Sequence, residues 1–255
     1  MSGAGNTFFI LVSEEGTKEE RANFAKRVCN DYIGFNTDGF LFMQKKTGYD
    51  LAWDFYNSDG SSAEMCGNAA RCAALYFHQK VKAQDSISFL TAAGEVTAQV
   101  LDAEQGAIQV RMPEIKKPGI AKEVEIAGKK VRGFFVNTGV PHFVIQSDPN
   151  QQLAQALRKT DAFGPAGANI TFTEFDESDF IQAVTFERGV ENFTLACGTG
   201  AVAAANFHHA CFPDILIQSI EMPGGLLQVE WQKQIPILTG PAEMQFDLQF
   251  YKENS

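Results

Sequence analysis

The chain contains the same pattern twice, and that repeat limits its fold more than any other feature. Phe55-Tyr56-Asn57-Ser58 is followed, after seven residues, by Cys66-Gly67-Asn68. Phe186-Glu187-Arg188-Gly189 is followed, after seven residues, by Cys197-Gly198-Thr199-Gly200. Each Cys-Gly pair opens an alanine-rich stretch, at 69–77 and 201–207. Upstream, Gly5-Asn6-Thr7-Phe8-Phe9-Ile10 precedes the first cysteine by about 60 residues, and Gly139-Val140-Pro141-His142-Phe143-Val144-Ile145 precedes the second by about 55. A unit of this length present twice predicts two similar domains that face each other, with chance similarity of short motifs as the competing reading.

Local patterning fits a duplicated α+β unit. Thr17-Lys18-Glu19-Glu20 reads as a capping box that starts a helix reaching about Cys29. Runs at 8–12, 40–44, 52–56, 86–89, 96–100, 108–112, 134–136, 143–145, 170–173, 183–186 and 226–231 read as strands. The segments after Cys66 and Cys197 are small and apolar nearly all round, as helices buried on most sides are. The expected architecture is two pseudo-symmetric domains, each a curved, mostly antiparallel sheet around a central helix, with a site in the cleft between them. The boundary is expected within 113–128, where proline and glycine cluster. That gives a first domain at 1–115, a second at 116–242, and 243–255 packing back onto the first. Strands after Gly240 are assigned to neither half.

Bulk properties exclude several classes of function. A formal net charge of −10 over 255 residues argues against a nucleic-acid partner, which requires a basic face. The apolar run 8–12 is far short of the ~20 residues that cross a bilayer. It also lacks the flanks of a signal peptide, so a cytoplasmic protein without membrane contact is expected. Five cysteines (Cys29, Cys66, Cys72, Cys197 and Cys211) in so long a chain do not form a disulfide scaffold. With the four histidines they show no zinc-ligand spacing, so no metal is expected.

A cysteine at a helix start sees the positive pole of the helix dipole and unpaired backbone N–H groups, both of which favour the thiolate. The same N–H groups bind carboxylates. Two such starts facing one cleft would grip a single carboxylate and present one sulfur to each face of the adjacent carbon. That arrangement suits inversion of a stereocentre, since one thiolate removes a proton and the opposite thiol returns one. Amides converging in a dry pocket would stabilise the developing charge without a cofactor. Gly67 and Gly198 would let the backbone approach the carboxylate closely. The bland readings are that a cysteine before glycine is a buried small residue, or that the two form a redox pair.

The run Asn57-Ser58-Asp59-Gly60-Ser61-Ser62-Ala63-Glu64-Met65-Cys66-Gly67-Asn68-Ala69-Ala70-Arg71-Cys72 closely resembles the first catalytic motif of the diaminopimelate epimerase family. Glu187-Arg188-Gly189-Val190-Glu191, followed by Thr194-Leu195-Ala196-Cys197-Gly198-Thr199-Gly200, resembles the second. The opening Gly3-Ala4-Gly5-Asn6-Thr7-Phe8 is similar to that family's start, and the likeness extends to Thr239-Gly240-Pro241-Ala242. The resemblance implies cofactor-free interconversion of LL- and meso-diaminopimelate by a cytoplasmic homodimer in lysine and peptidoglycan precursor synthesis. It implies Cys66 and Cys197 as the acid/base pair, with His142 and Glu187 tuning their protonation. The backbone N–H groups of Gly67-Asn68 and Gly198-Thr199 would hold the reacting carboxylate. Asn6, Asn57, Asn169, Glu187 and Arg188 would meet the polar ends of the substrate, the planar Arg188 fork suiting a distal carboxylate. A turn role for Asn6 or Asn57, and a structural ion pair for Arg188, are the plain alternatives.

Three positions depart from the family pattern. Val140 stands where asparagine is common, Phe193 where an acidic residue is common, and Phe246 near a tyrosine that helps some members dimerise. Two rival functions remain: a related two-cysteine racemase of another amino acid such as histidine or hydroxyproline, and a non-catalytic amino-acid binder.

Overall fold

A computed structural model describes residues 1–30, 36–63 and 65–249. Among the described residues, seventeen strands are hydrogen-bonded into one continuous sheet. The element order runs twice. In the first half, strand Asn6–Val12 leads through helix α1 (Lys18–Asn30) to Gly39–Gln44, Leu51–Asn57 and Ser62–Ala63. Helix α2 (Gly67–Tyr76) follows, then strands Ser86–Thr91, Gly94–Asp102 and Ala107–Arg111. In the second half, Pro141–Gln146 leads through helix α3 (Gln151–Arg158) to Asn169–Phe175, Phe180–Glu187 and Asn192–Phe193. Helix α4 (Gly198–Cys211) follows, then Ile217–Met222, Gly225–Gln232 and Ile235–Pro241.

Pairing follows the repeat. Each half has two parallel pairs, one across each helix crossover, and its other neighbours are antiparallel. The duplicated, mostly antiparallel α+β architecture is thus as the sequence implies. The halves join edge to edge where Ala107–Arg111 runs antiparallel to Ile235–Pro241, with Ile108 opposite Gly240 and Val110 opposite Leu238.

The two helices of each half have different tasks. Helix α1 begins at the expected capping box: the Thr17 N–H donates to Glu20 Oε2 at 2.7 Å, and the Glu20 N–H donates to Thr17 Oγ1 at 3.3 Å. Such a cap contributes about 1 kcal/mol. It lays Ala25, Val28 and Cys29 on the outer face of the sheet against Phe40, Phe42 and Tyr56. Helix α3 does the same with Ala154 and Leu157 against Phe143, Ile170 and Phe172. Helices α2 and α4 lie inside the curve, and their alanines share one core with strands from both halves. An alanine-rich helix is thin enough for strands to wrap closely around it.

Several elements escaped the sequence reading. The stretch expected to hold the domain boundary contains strand Ile120–Ile126, which pairs with Lys129–Asn137. It is an edge strand whose apolar residues are diluted by charge. Helix α3 was not anticipated: it is short and polar outside, although Asn150 caps it by accepting from the Leu153 N–H at 2.8 Å. Strands Ile217–Met222 and Ile235–Pro241 were also missed. Past Pro241 the described residues form an isolated bridge between Ser2 and Glu243, not a further strand. Residues 243–249 run beside the first half, where Lys80 meets Asp247 at 2.9 Å and the Phe246 ring lies 6.5 Å from Phe9. The expectation for 250–255 lies outside the described residues, as does Glu64 of the first motif.

Candidate active site

Both repeated cysteines sit at the N-caps of the buried helices. Cys66 caps α2 with φ −142° and ψ 123°, and Cys197 caps α4 with φ −126° and ψ 107°. Extended backbone at a cap leaves the first-turn N–H groups free of intrahelical partners. The two helix starts abut: a Cβ built on Gly198 would lie 3.8 Å from the Gly67 Cα and 3.0 Å from Leu238 Cδ2. Any side chain at 198 would therefore press on the buried floor of the site. Asn68 closes the seam, its Nδ2 donating to Asn6 Oδ1 at 2.6 Å and to the Ala196 carbonyl at 3.1 Å. Residues from the amino terminus, the first cysteine helix and the second cysteine loop thus meet at one point.

One carboxyl group serves both sulfurs. Burial pushes the Cys66 thiol up; the Ala69 N–H opposes this, the Glu187 charge adds to it, and the Asn68 N–H and Arg71 oppose it. Burial lifts the Cys197 thiol well above its ordinary value, and the Glu187 charge lifts it further. The Thr199 hydroxyl and the Gly200 N–H pull in the other direction. Glu187 is itself raised, by burial first, against hydrogen bonds from Thr194 and Cys197, while the Asp38 charge adds to the rise. The Thr194 hydroxyl donates to Glu187 Oε1 at 2.5 Å.

His142 reaches Cys197 through an intermediary. Its Nε2 lies 3.0 Å from Thr199 Oγ1, which lies 3.4 Å from Cys197 Sγ. The Arg188 N–H donates to Asn169 Oδ1 at 2.9 Å, which turns the Asn169 amide Nδ2 toward His142 Nε2 at 3.3 Å. Nε2 is therefore an acceptor, and Nδ1 carries the proton and donates to Thr171 Oγ1 at 3.0 Å. Thr171 passes the chain to Thr185 Oγ1 at 3.1 Å, the residue opposite it in the sheet. Burial, aided by the Arg188 charge, lowers the His142 pKa to about 3, so the ring is neutral. Thr199 Oγ1 then donates to His142 Nε2 while it lies against the Cys197 sulfur.

The remaining expected residues group around this centre. Asn6 follows the tight turn at Ala4 and Gly5 (φ 52° and 85°) and accepts from Asn68. Asn57 ends its strand, and its Nδ2 donates to Ser61 Oγ at 2.9 Å. Arg188 is half-buried and, among the described residues, its guanidinium has no carboxylate partner. The structural ion pair falls instead to Arg158 and Glu191, 3.2 Å apart, and Glu191 also accepts from the Gly189 N–H. Glu191 holds φ 55°, a left-handed conformation unusual for a side chain of its kind, and these two contacts fix the turn that carries Arg188.

Sequence reasoning did not assign Thr171, Thr185, Thr194 or the Thr199 hydroxyl. The available signal was threonine recurring inside otherwise apolar strands. Of the departures, Phe193 packs against Phe172 and Phe186 at 5.9 and 5.6 Å, so an aromatic there extends the layer beneath α3. Val140 closes a turn through its backbone, accepting from the Thr138 N–H at 3.1 Å.

The fold is shared with solved structures of low sequence identity. A phenazine biosynthesis protein of the PhzF family from Enterococcus faecalis superposes with a TM-score of 0.70 over 94% of this chain and 90% of that one, at 18% identity. Sequence comparison goes further. The sequence model of the diaminopimelate epimerase family matches residues 1–117 and 134–245. The diaminopimelate epimerase of Archaeoglobus fulgidus is 35% identical over 97% of this chain and 93% of its own length. That of a Hydrogenobaculum species is 31% identical over 96% and 95%. The chain belongs to the diaminopimelate epimerase family and is an isomerase.

Proposed function

We propose that this protein interconverts LL- and meso-2,6-diaminopimelate by proton transfer between Cys66 and Cys197. The observation that carries this reading is the head-to-head contact of two cysteine-capped helix starts at Gly67 and Gly198. The N–H groups of both first turns bind the reacting carboxylate, and the two positive helix poles stabilise charge spreading into it. One sulfur, as thiolate, takes the α-proton. The other, as thiol, protonates the opposite face, and the roles reverse for the return reaction. Burial disfavours two thiolates at once, which suits a pair that shares one proton. Glu187 accepts a hydrogen bond from the Cys197 thiol and so tunes its protonation, and Thr199 with His142 steadies that sulfur.

Cys197 is only 5% exposed, so substrate enters by parting the halves and closure then excludes water. The unpaired Arg188 fork takes the distal carboxylate, while Asn6 and Asn57 meet polar groups at the rim. A panel of amino acids incubated in heavy water tests the assignment. Diaminopimelate should lose optical purity and gain deuterium at the α-carbon. Faster inversion of another amino acid would move the substrate, and binding without exchange would make the protein a binder.

Among the described residues no helix is long and apolar enough to cross a membrane. We read the protein as a cytoplasmic homodimer. The exposed side chains of Leu11, Val12, Phe246 and Leu248, beside strand Asn6–Val12, offer an apolar face for self-association. Sedimentation velocity at micromolar concentration should give twice the chain mass, and a monomer would refute the pairing.

A further inference from the structure

The first cysteine helix buries a cation that has no anion partner among the described residues. Arg71 is 0% exposed. Its Nε donates to the Pro241 carbonyl at 3.2 Å and its Nη2 to Asn68 Oδ1 at 2.8 Å, while Nη1 has no acceptor. Among the described residues no carboxylate lies within ion-pair reach of it. The fold makes room for it: a Cβ on Gly240 would stand 3.1 Å from both Nε and Cζ. A buried charge is costly unless paired. A cation near the start of α2 is doubly unfavourable, because that end of the helix is already positive.

We propose that Arg71 is a positioning residue whose unbalanced charge favours the anion formed at the helix starts and whose fork holds Asn68 across the seam between the cysteines. This rests on the functional reading above. Two contacts carry it. The Asn68 amide that Arg71 orients is the one that reaches Ala196, the residue before Cys197. The Pro241 carbonyl belongs to the closing strand of the second half, so Arg71 also ties α2 directly to that half.

The neighbouring ionisable groups leave the counter-charge to the site. Cys72, also on α2, is pushed up to about 12, chiefly by burial, and stays neutral. The Met1 amino group acts on Cys72 too, and burial lowers its own proton affinity, so it supplies no counter-anion. Glu187 acts on Cys66 from the second half and favours its protonated form. The anion that answers Arg71 is then the Cys66 thiolate or the carboxylate bound beside it.

Alkylation of Cys66 by iodoacetamide across a pH series, read by peptide mapping of the full chain, tests this. Arg71→Met should raise the pH midpoint by about one unit, slowing alkylation about tenfold at fixed pH below the midpoint. Arg71→Lys, which keeps the charge and loses the fork, should hold the midpoint near that of the parent while kcat falls about tenfold. A folded Arg71→Met protein with an unmoved midpoint would overturn the proposal. If that variant does not fold, Asn68→Asp keeps the guanidinium and gives it a carboxylate; an unmoved midpoint there overturns it equally. The titration uses no amino-acid substrate, so an error in the substrate assignment leaves it standing.

Discussion

Cys66→Ala and Cys197→Ala should each slow inversion by about 10⁴-fold, the upper end of what one general acid or base supplies, without loss of the fold. Each cysteine caps a helix through its backbone, with no side-chain cap bond, so removing the sulfur leaves the helix start intact. The two variants should also differ in a way that no structural defect reproduces. A remaining thiolate can still take a proton from the face it guards and return a deuteron to that face. Each variant should therefore wash deuterium into one stereoisomer with retention, and the two should choose opposite stereoisomers. Circular dichroism of the product together with mass spectrometry reads both quantities. Near-normal inversion by either variant would end the two-base mechanism.

Arg188→Met should lower kcat/KM for diaminopimelate by roughly 10²- to 10³-fold, chiefly through KM. A charge-assisted, two-pronged contact with a carboxylate is worth about 3–4 kcal/mol when its partner is left buried and unmet, and 1.4 kcal/mol is a factor of ten. Arg188→Lys should recover only part of this, since an ammonium keeps the charge and loses the planar fork. A second readout is built in. The Arg188 charge helps to depress His142, so its removal should move the imidazole titration upward from about 3, still below 6.5 because burial is the larger cause. An unchanged KM would show that the guanidinium faces no substrate group.

What could be read from the chain, and what could not, divides by distance along it. The doubled motif, the capping box before α1 and the helix starts after Cys66 and Cys197 are local patterns, and each is found where expected. The meeting of the two helix starts follows from the repeat only because duplication implies a two-fold arrangement. Contacts that bind residues far apart were not legible. Asn68 lies in the first turn of its helix, as the pattern after Cys66 implies, yet its side chain spans 128 positions to Ala196. The threonines at 171 and 185 become a pair only through strand register. His142 was grouped with the cysteines, but its route to one of them runs through a hydroxyl that no spacing reveals. Strand Ile120–Ile126 was lost because an edge strand with charges on its open side looks like a linker.

The seam between Ala107–Arg111 and Ile235–Pro241 reaches beyond this molecule. These strands are the last of their respective copies, and each supplies the partner that the other copy lacks. A single copy made alone would expose that bare edge together with an uncovered cysteine helix, and the nearest matching surface would be its own twin. The likeness of the halves is what joining two copies of such a unit in one chain would leave, each edge closed by its counterpart.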